Sequence, residues 1–253
     1  MQTPIGLSMF LRTSKNLPEN WVMSFKREIH PQALLTSDRL TKGLISIGFR
    51  LSGARSTKLY NIEDVLFSAA QEGVLGEDYR VLGLLVDWFE VHSRMVNVDR
   101  LCRLVMTLEE EKLKRFWVAI AQWLSNDVRF KKIQKLYRFK TSADLLSTGT
   151  EFLIKRHGWD ERFKDTVLRV PNQTLRRRLG DILSPKELAK KNLFYRFRVL
   201  LGPIYRADLW AHLDRNDSIS TAELARLGYA NFATAWAVKR DFNLLASTGL
   251  VTP

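Results

Sequence analysis

The side chains best suited to recognise a nucleic acid lie on one helical pattern near the C-terminus. Between Asn231 and Ser247, the apolar residues repeat at the spacing of a buried helix face. The residues left on the outer side are Thr234, Trp236, Lys239, Arg240 and Asn243. Arginine and asparagine can pair bidentately with base edges, and each such pair contributes about 1–3 kcal/mol of discrimination. If this helix contacts a nucleic acid, Lys239 is expected to hold a phosphate.

The basic residues are concentrated in two windows. The chain of 253 residues has 40 Lys plus Arg against 27 Asp plus Glu, a formal net charge of +13. Windows 111–140 and 169–198 each carry nine basic and two acidic residues. Such clusters are typical of a surface that contacts phosphates, although solvated helix faces would give the same pattern. The candidate phosphate contacts are Lys131, Lys132, Lys135, Arg138, Arg176, Arg177 and Arg178.

No residue pattern favours catalysis. The four histidines have no metal-ligand spacing, and the single cysteine, Cys102, falls on an apolar helix face. Asp208 and His212 lie four residues apart, which is more typical of a surface pair than of a catalytic dyad. The acids of segment 160–165 could be arranged as a metal-dependent nuclease site, but polar loops of this kind are usually solvated. We therefore expect no enzyme activity, metal or cofactor.

The elements that position these residues are predicted to be mainly α-helical. Five helices with short loops are expected from Asn61 to Tyr137, with Tyr79–Val91 as a central buried helix. Asn61 precedes an apolar stripe and is expected to cap the first of them, with Asp64 in its first turn, where the helix dipole favours a negative charge. They would form an orthogonal or solenoid-like bundle. Ser184, followed by a proline, predicts the start of a helix that runs to Leu201.

Two segments favour β-structure. Leu44–Ser52 alternates as a strand would, with Gly53 as its stop. Phe152–Lys155 and Val167–Val170 are expected to form a small hairpin. The organisation is then a mainly helical body over 1–140, a basic mixed α/β region over 141–202 and a tri-helical module over 203–253.

The C-terminal module resembles the helix-turn-helix of bacterial transcription regulators, which is often part of a winged helix. The resemblance rests on a first helix and turn, a buried stripe on the second helix, and a predicted Ser220–Glu223 capping box. The matching residues are Glu223, Leu224, Ala225, Leu227 and Gly228, followed by Val238, Phe242 and Leu245. The spacing from Leu224 to Gly228 is one residue shorter than usual. Gly249 is expected to end the second helix, and four residues follow it, so no wing is expected.

The resemblance implies duplex DNA as the partner and transcriptional regulation as the function, with the helix from Asn231 in the major groove. A homodimer would suit such a regulator, although no coiled-coil pattern is present. Two alternatives remain: an antitoxin or defence-operon protein that binds a partner protein, and an RNA-binding factor. The module could also be a three-helix cap with Trp236 buried. The apolar patch Ile5–Leu11 is too short for a secretory signal, and no membrane span is expected, so a cytoplasmic location is predicted.

Overall fold

The computed structural model describes residues 34–52 and 58–248, and within them the chain is mainly helical. The predictions for the patch Ile5–Leu11 and for the stops at Gly53 and Gly249 lie outside these ranges. The first seven helices are α1 (Ser37–Ser46), α2 (Ile62–Leu75), α3 (Tyr79–His92), α4 (Val98–Met106), α5 (Glu111–Trp123), α6 (Lys131–Gln134) and α7 (Thr150–His157). The next five are α8 (Pro185–Lys191), α9 (Leu193–Leu201), α10 (Tyr205–Arg215), α11 (Thr221–Leu227) and α12 (Phe232–Ser247).

The core of the body is built around α2 and α3. Both helices are buried along most of their length, and α3 contributes Trp88 and Phe89, which have no exposed surface. The Asn61 side chain accepts a hydrogen bond from the Asp64 amide and caps α2, as its position before an apolar stripe predicted. The five helices expected between Asn61 and Tyr137 are confirmed as α2 to α6, and the mainly helical class is confirmed with them.

The small sheet pairs a different set of segments from the predicted hairpin. Its two strands, β1 (Ala143–Asp144) and β2 (Leu168–Arg169), run parallel, with Ala143 opposite Leu168. The segment Phe152–Lys155 belongs instead to α7. Its mixed composition suits a helix as well as it suits a strand, and such short segments have ambiguous periodicity.

The predicted strand Leu44–Ser52 is wrong over its first half. Helix α1 runs to Ser46, and only Phe49 takes part in an isolated antiparallel bridge, with Ile182. Gly48 has a φ of +106°, a conformation that glycine adopts without strain, and it turns the chain out of the helix. A glycine inside an apparent alternating pattern therefore marked a helix end.

The helix predicted from Ser184 to Leu201 is broken at Asn192. The predicted start is confirmed, since Ser184 and Glu187 form a complete capping box with Pro185 at the first helical position. Asn192 then adopts an extended backbone, and its side chain accepts a hydrogen bond from the Tyr195 amide. Its amide nitrogen also donates to the Ser46 carbonyl at 2.8 Å. This contact with α1 fixes a residue that ends α8 and begins α9.

Candidate nucleic-acid interface

The last three helices share a hydrophobic cluster of their own. Leu209 and Leu213 of α10, Leu224 of α11, and Val238 and Phe242 of α12 are fully buried in it. The apolar stripe that predicted the core face of α12 is therefore buried as expected, with Leu245 partly buried at its edge. Three short helices around one small core form the three-helix unit.

Side-chain caps set the start of the last two helices of this unit. Ser220 accepts a hydrogen bond from the Glu223 amide at 3.2 Å, and Asn231 accepts one from the Thr234 amide at 2.7 Å. The predicted capping box is only half formed, because the Glu223 carboxylate binds Arg226 at 2.8 Å instead of returning to the cap. Half-buried Thr234 therefore contributes to the fold of the unit at the N-terminal end of α12.

The turn between α11 and α12 uses two adjacent residues in different ways. At Gly228, a Cβ atom would lie 2.5 Å from the Cδ2 atom of Leu209, so this position requires glycine for close packing. The left-handed conformation falls on the next residue, Tyr229, with a φ of +53°. Tyr229 is buried, and its hydroxyl donates to the Asp64 carboxylate in the body.

The outer face of α12 carries an exposed aromatic and two polar side chains. Trp236 is 52% exposed, so its expected exposure is confirmed and its alternative role as a buried anchor is wrong. Arg240 and Asn243 are also exposed; Arg240 follows Trp236 by four residues and Asn243 follows Arg240 by three, which places all three on one face. The Arg240 guanidinium lies 5.3 Å from the centre of the Trp236 ring and binds Asp241 at 2.9 Å.

Lys239 has a different environment from the other outward residues. It is half-buried, and its Nζ atom donates to the carbonyl of Ile219, just before α11. This bond connects α12 to the segment between α10 and α11. A phosphate contact by Lys239 would require the ammonium group to leave that carbonyl.

The first basic window presents free cations around α6. Lys131, Lys135 and Arg138 are exposed, and none forms an ion pair within the described residues. Lys132 is also exposed but binds Asp99 at 2.5 Å. The predicted phosphate-binding residues of this window therefore lie at the surface as expected.

The second basic window is only partly available to a ligand. Arg176 is exposed, whereas Arg177 is paired with Glu90. Arg178 is half-buried, with its backbone amide bound to Asp87. Arg198, counted in this window from sequence, has no exposed side-chain surface at all. The net charge of the window thus overstates its surface charge.

Arg198 instead lies at the centre of a buried ionic network. Its guanidinium binds both oxygens of Glu63 at 2.6 and 2.8 Å and both oxygens of Asp208 at 2.8 and 2.7 Å. A fifth bond goes to the Met95 carbonyl at 2.9 Å. Burial raises the pKa of Asp208, and the facing Arg198 charge opposes that shift. The bonds join α2, α9 and α10.

A second buried ion pair, between Arg100 and Asp64, contacts the three-helix unit through Tyr229 in the turn between α11 and α12. Arg100 of α4 binds Asp64 at 2.5 Å, and its guanidinium carbon lies 3.3 Å from the centre of the Tyr229 ring. Burial raises the pKa of Asp64, while Arg100 and the Tyr229 hydroxyl act in the opposite direction. From sequence, Asp64 was interpreted only as a first-turn residue that complements the helix dipole.

The candidate catalytic residues are occupied in structural contacts. His212 is surrounded by protein atoms beside the Phe194 ring, and this burial lowers its pKa to about 4. Asp208 faces Arg198 and not His212, so Asp208 and His212 do not form a dyad. In segment 160–165, Asp160 is buried and paired with Arg162 at 2.7 Å. Over the described ranges, no group of three or more His, Cys, Asp or Glu side chains could hold a metal ion.

The aromatic residues that interleave with the basic windows mostly belong to the core. Phe194 and Tyr195 are buried, and Tyr195 shares a 2.9 Å hydrogen bond with His92. Phe197 stacks on Trp210 with ring centres 6.3 Å apart. Of the described aromatics near the free cations, Tyr137 and Phe139 remain half-exposed, and Tyr137 donates to the Val105 carbonyl.

Within the described ranges, no helix combines the length and the apolar character needed to cross a lipid bilayer. Comparison with known proteins adds no assignment: no protein-family model, no curated protein and no solved structure matches this chain.

Proposed function

We propose that this protein binds duplex DNA through the three-helix unit and regulates transcription, acting in the cytoplasm by binding rather than by catalysis. The observation that carries the proposal is the outer face of α12. Trp236, Arg240 and Asn243 are aligned on it and exposed, while the opposite face of the helix is buried. A helix fixed in this way can present its side chains to the base edges of a major groove.

The net charge of the three-helix unit indicates which part of the chain would contact the DNA phosphates. Residues 203–253 contain five basic and five acidic residues, so this part of the chain has no net positive charge. Affinity for DNA depends largely on phosphate neutralisation. We therefore infer that most phosphate contacts come from outside the unit, where the exposed Lys131, Lys135, Arg138 and Arg176 supply positive charge.

Sequence preference tests the role of α12. Binding of labelled duplexes is measured by fluorescence polarisation for the native chain and for Arg240→Ala with Asn243→Ala. If the proposal is correct, the double variant should discriminate less between duplex DNA sequences, by about 1–3 kcal/mol for each base that is no longer read. The matched control is Arg215→Ala with Asn216→Ala, since both residues are exposed in the same unit but lie outside α12. Equal effects of the two double variants would contradict the assignment.

Salt dependence tests the role of the body. Replacing Lys131, Lys135 and Arg138 together by Ala should weaken binding to all duplexes and lower the salt slope by about 0.9 for each phosphate that is no longer neutralised. Single-stranded DNA and duplex RNA are compared in the same assay. Preferential binding of duplex RNA would support the RNA-binding alternative instead.

A protein partner is the second candidate, and the surface of the unit favours it. Leu244 is 65% exposed on α12, about two turns beyond Trp236, and Leu200 at the end of α9, just outside the unit, is 69% exposed. A charge-neutral surface with exposed aromatic and aliphatic side chains is typical of protein contacts. Such a partner would suit an antitoxin-like protein or a homodimer. Absence of DNA binding at physiological salt, combined with concentration-dependent self-association, would favour this candidate.

A further inference from the structure

A cavity of about 860 Å³ opens beside the start of α9. Its wall is formed by the end of α1, the segment that follows it, the residues just before α2, and the junction between α8 and α9. The volume falls in the range of pockets that hold small organic ligands. The cavity is lined by residues of the body and of the region 141–202 and does not include α12, so nothing in the proposed DNA contact uses it.

The charged side chains among the described residues that line the cavity are all basic. Arg50, Lys58 and Lys191 line it, and none of its described lining residues is acidic. Lys191 is exposed and, within the described ranges, forms no ion pair. Arg50 shares a half-exposed 3.0 Å pair with Glu187, which lies outside the lining. Three cations around one opening produce a positive local potential that attracts an anion.

The remaining wall is largely apolar, with Ser46, Ser52 and Asn192 as its polar members. Its accessible apolar surface comes from the half-buried Ile45, Leu51 and Leu59, whereas Phe49 and Tyr60, only 2% and 7% exposed, support it from the main hydrophobic core. Half-buried Leu193 continues this wall at the first residue of α9. The cavity therefore offers both an apolar surface and a cationic opening.

We propose that this cavity binds an amphipathic organic anion, a molecule with one phosphate or carboxylate group and an apolar body. An inorganic anion alone would leave the apolar wall without a contact, and a neutral ligand would gain nothing from the positive potential at the opening. The proposal goes beyond DNA binding and holds whether or not the three-helix unit contacts DNA.

Calorimetric titration of the full chain distinguishes the two sources of the anionic group. The probes are adenosine monophosphate and octanoate, each compared with its neutral counterpart, adenosine and octan-1-ol. Saturable binding of either anion, with its neutral counterpart bound about tenfold more weakly or not at all, is the expected result. Absence of saturable binding by both anions up to about 5 mM, or equal binding of anion and counterpart, would overturn the proposal.

Two neighbouring lysines provide a matched pair of variants. Lys191→Glu reverses a cavity charge, whereas Lys190→Glu makes the same change on the adjacent exposed residue, which does not line the cavity. The proposal expects Lys191→Glu to weaken the anion at least about fivefold while Lys190→Glu leaves its affinity within about twofold of native. Arg50→Gln should also weaken binding. An equal loss in both lysine variants would show only a general effect of charge and would overturn the assignment.

Discussion

Replacement of Arg198 by Met is the sharpest test of the buried network. The change introduces an apolar side chain of similar length and removes all five hydrogen bonds of the guanidinium. The side chains of Glu63 and Asp208 are 0% and 1% exposed, so two carboxylates would remain buried without their cation. Breaking a buried ion pair from one side costs about 3–5 kcal/mol.

A second route to the same magnitude is protonation of the stranded carboxyls. A carboxyl with an ordinary pKa near 4 must be protonated at a cost of about 1.4 kcal/mol for each unit of pH above that value, which is about 4 kcal/mol at pH 7. We therefore expect Arg198→Met to lower the free energy of unfolding by at least about 3 kcal/mol at pH 7. The penalty should shrink by about 2–3 kcal/mol at pH 5, because protonation is then easier.

The assay is urea unfolding of the full chain, followed by circular dichroism at pH 7 and pH 5. Arg196→Met is the control, since Arg196 lies two residues away, is exposed, and binds only backbone carbonyls. Adding Glu63→Gln and Asp208→Asn to Arg198→Met should recover part of the loss, because the stranded charges are then removed. A penalty equal to that of the control, or one that does not change with pH, would refute this account of the network.

Three further outcomes are expected. Tyr229→Phe keeps the ring over Arg100 but removes the hydrogen bond to Asp64, so the free energy of unfolding in urea should fall by about 1–3 kcal/mol. A decrease in the free energy of unfolding no larger than experimental error would contradict a stabilising role for this hydrogen bond. Gly228→Ala places a methyl group against a leucine of α10 and should cost about 1–3 kcal/mol, measured in the same way against Gly180→Ala, where an added Cβ meets no atom within 4 Å. Burial lowers the pKa of His212 to about 4 from 6.5, so the unfolded chain binds more protons between these values. Stability should therefore be lost as the pH falls through this window, by about 2 kcal/mol between pH 7 and pH 5, and His212→Asn should remove that part of the pH dependence.

Local sequence signals determined most of the helices. Asn61 and Ser184 were predicted as caps because a short polar side chain before an apolar stripe can satisfy the first free amides, and both caps are present. The buried stripe of α12 followed from helical spacing alone, and so did its exposed Trp236, Arg240 and Asn243. These features depend on residues within one or two turns of each other.

The errors arose where a distant contact overrides a local preference. The helix from Ser184 breaks at Asn192 because that side chain binds α1, which is far away in sequence. Arg198 was counted as surface charge, since a basic residue in a basic window is usually solvated. Its burial requires Glu63 and Asp208, and no local spacing relates either of these acids to it across the chain.

The sequence by itself therefore determined a mainly helical chain with a basic body and an outward-facing last helix, because periodicity and caps act over short range. Only the tertiary structure decided which charges are free. It buries Arg198 and Arg100 against acids on other helices and fixes Tyr229 to Asp64, while Lys131 and Lys135 remain exposed. The physical reason is that burying a charge is costly without a partner, and partners are brought together only when the helices pack.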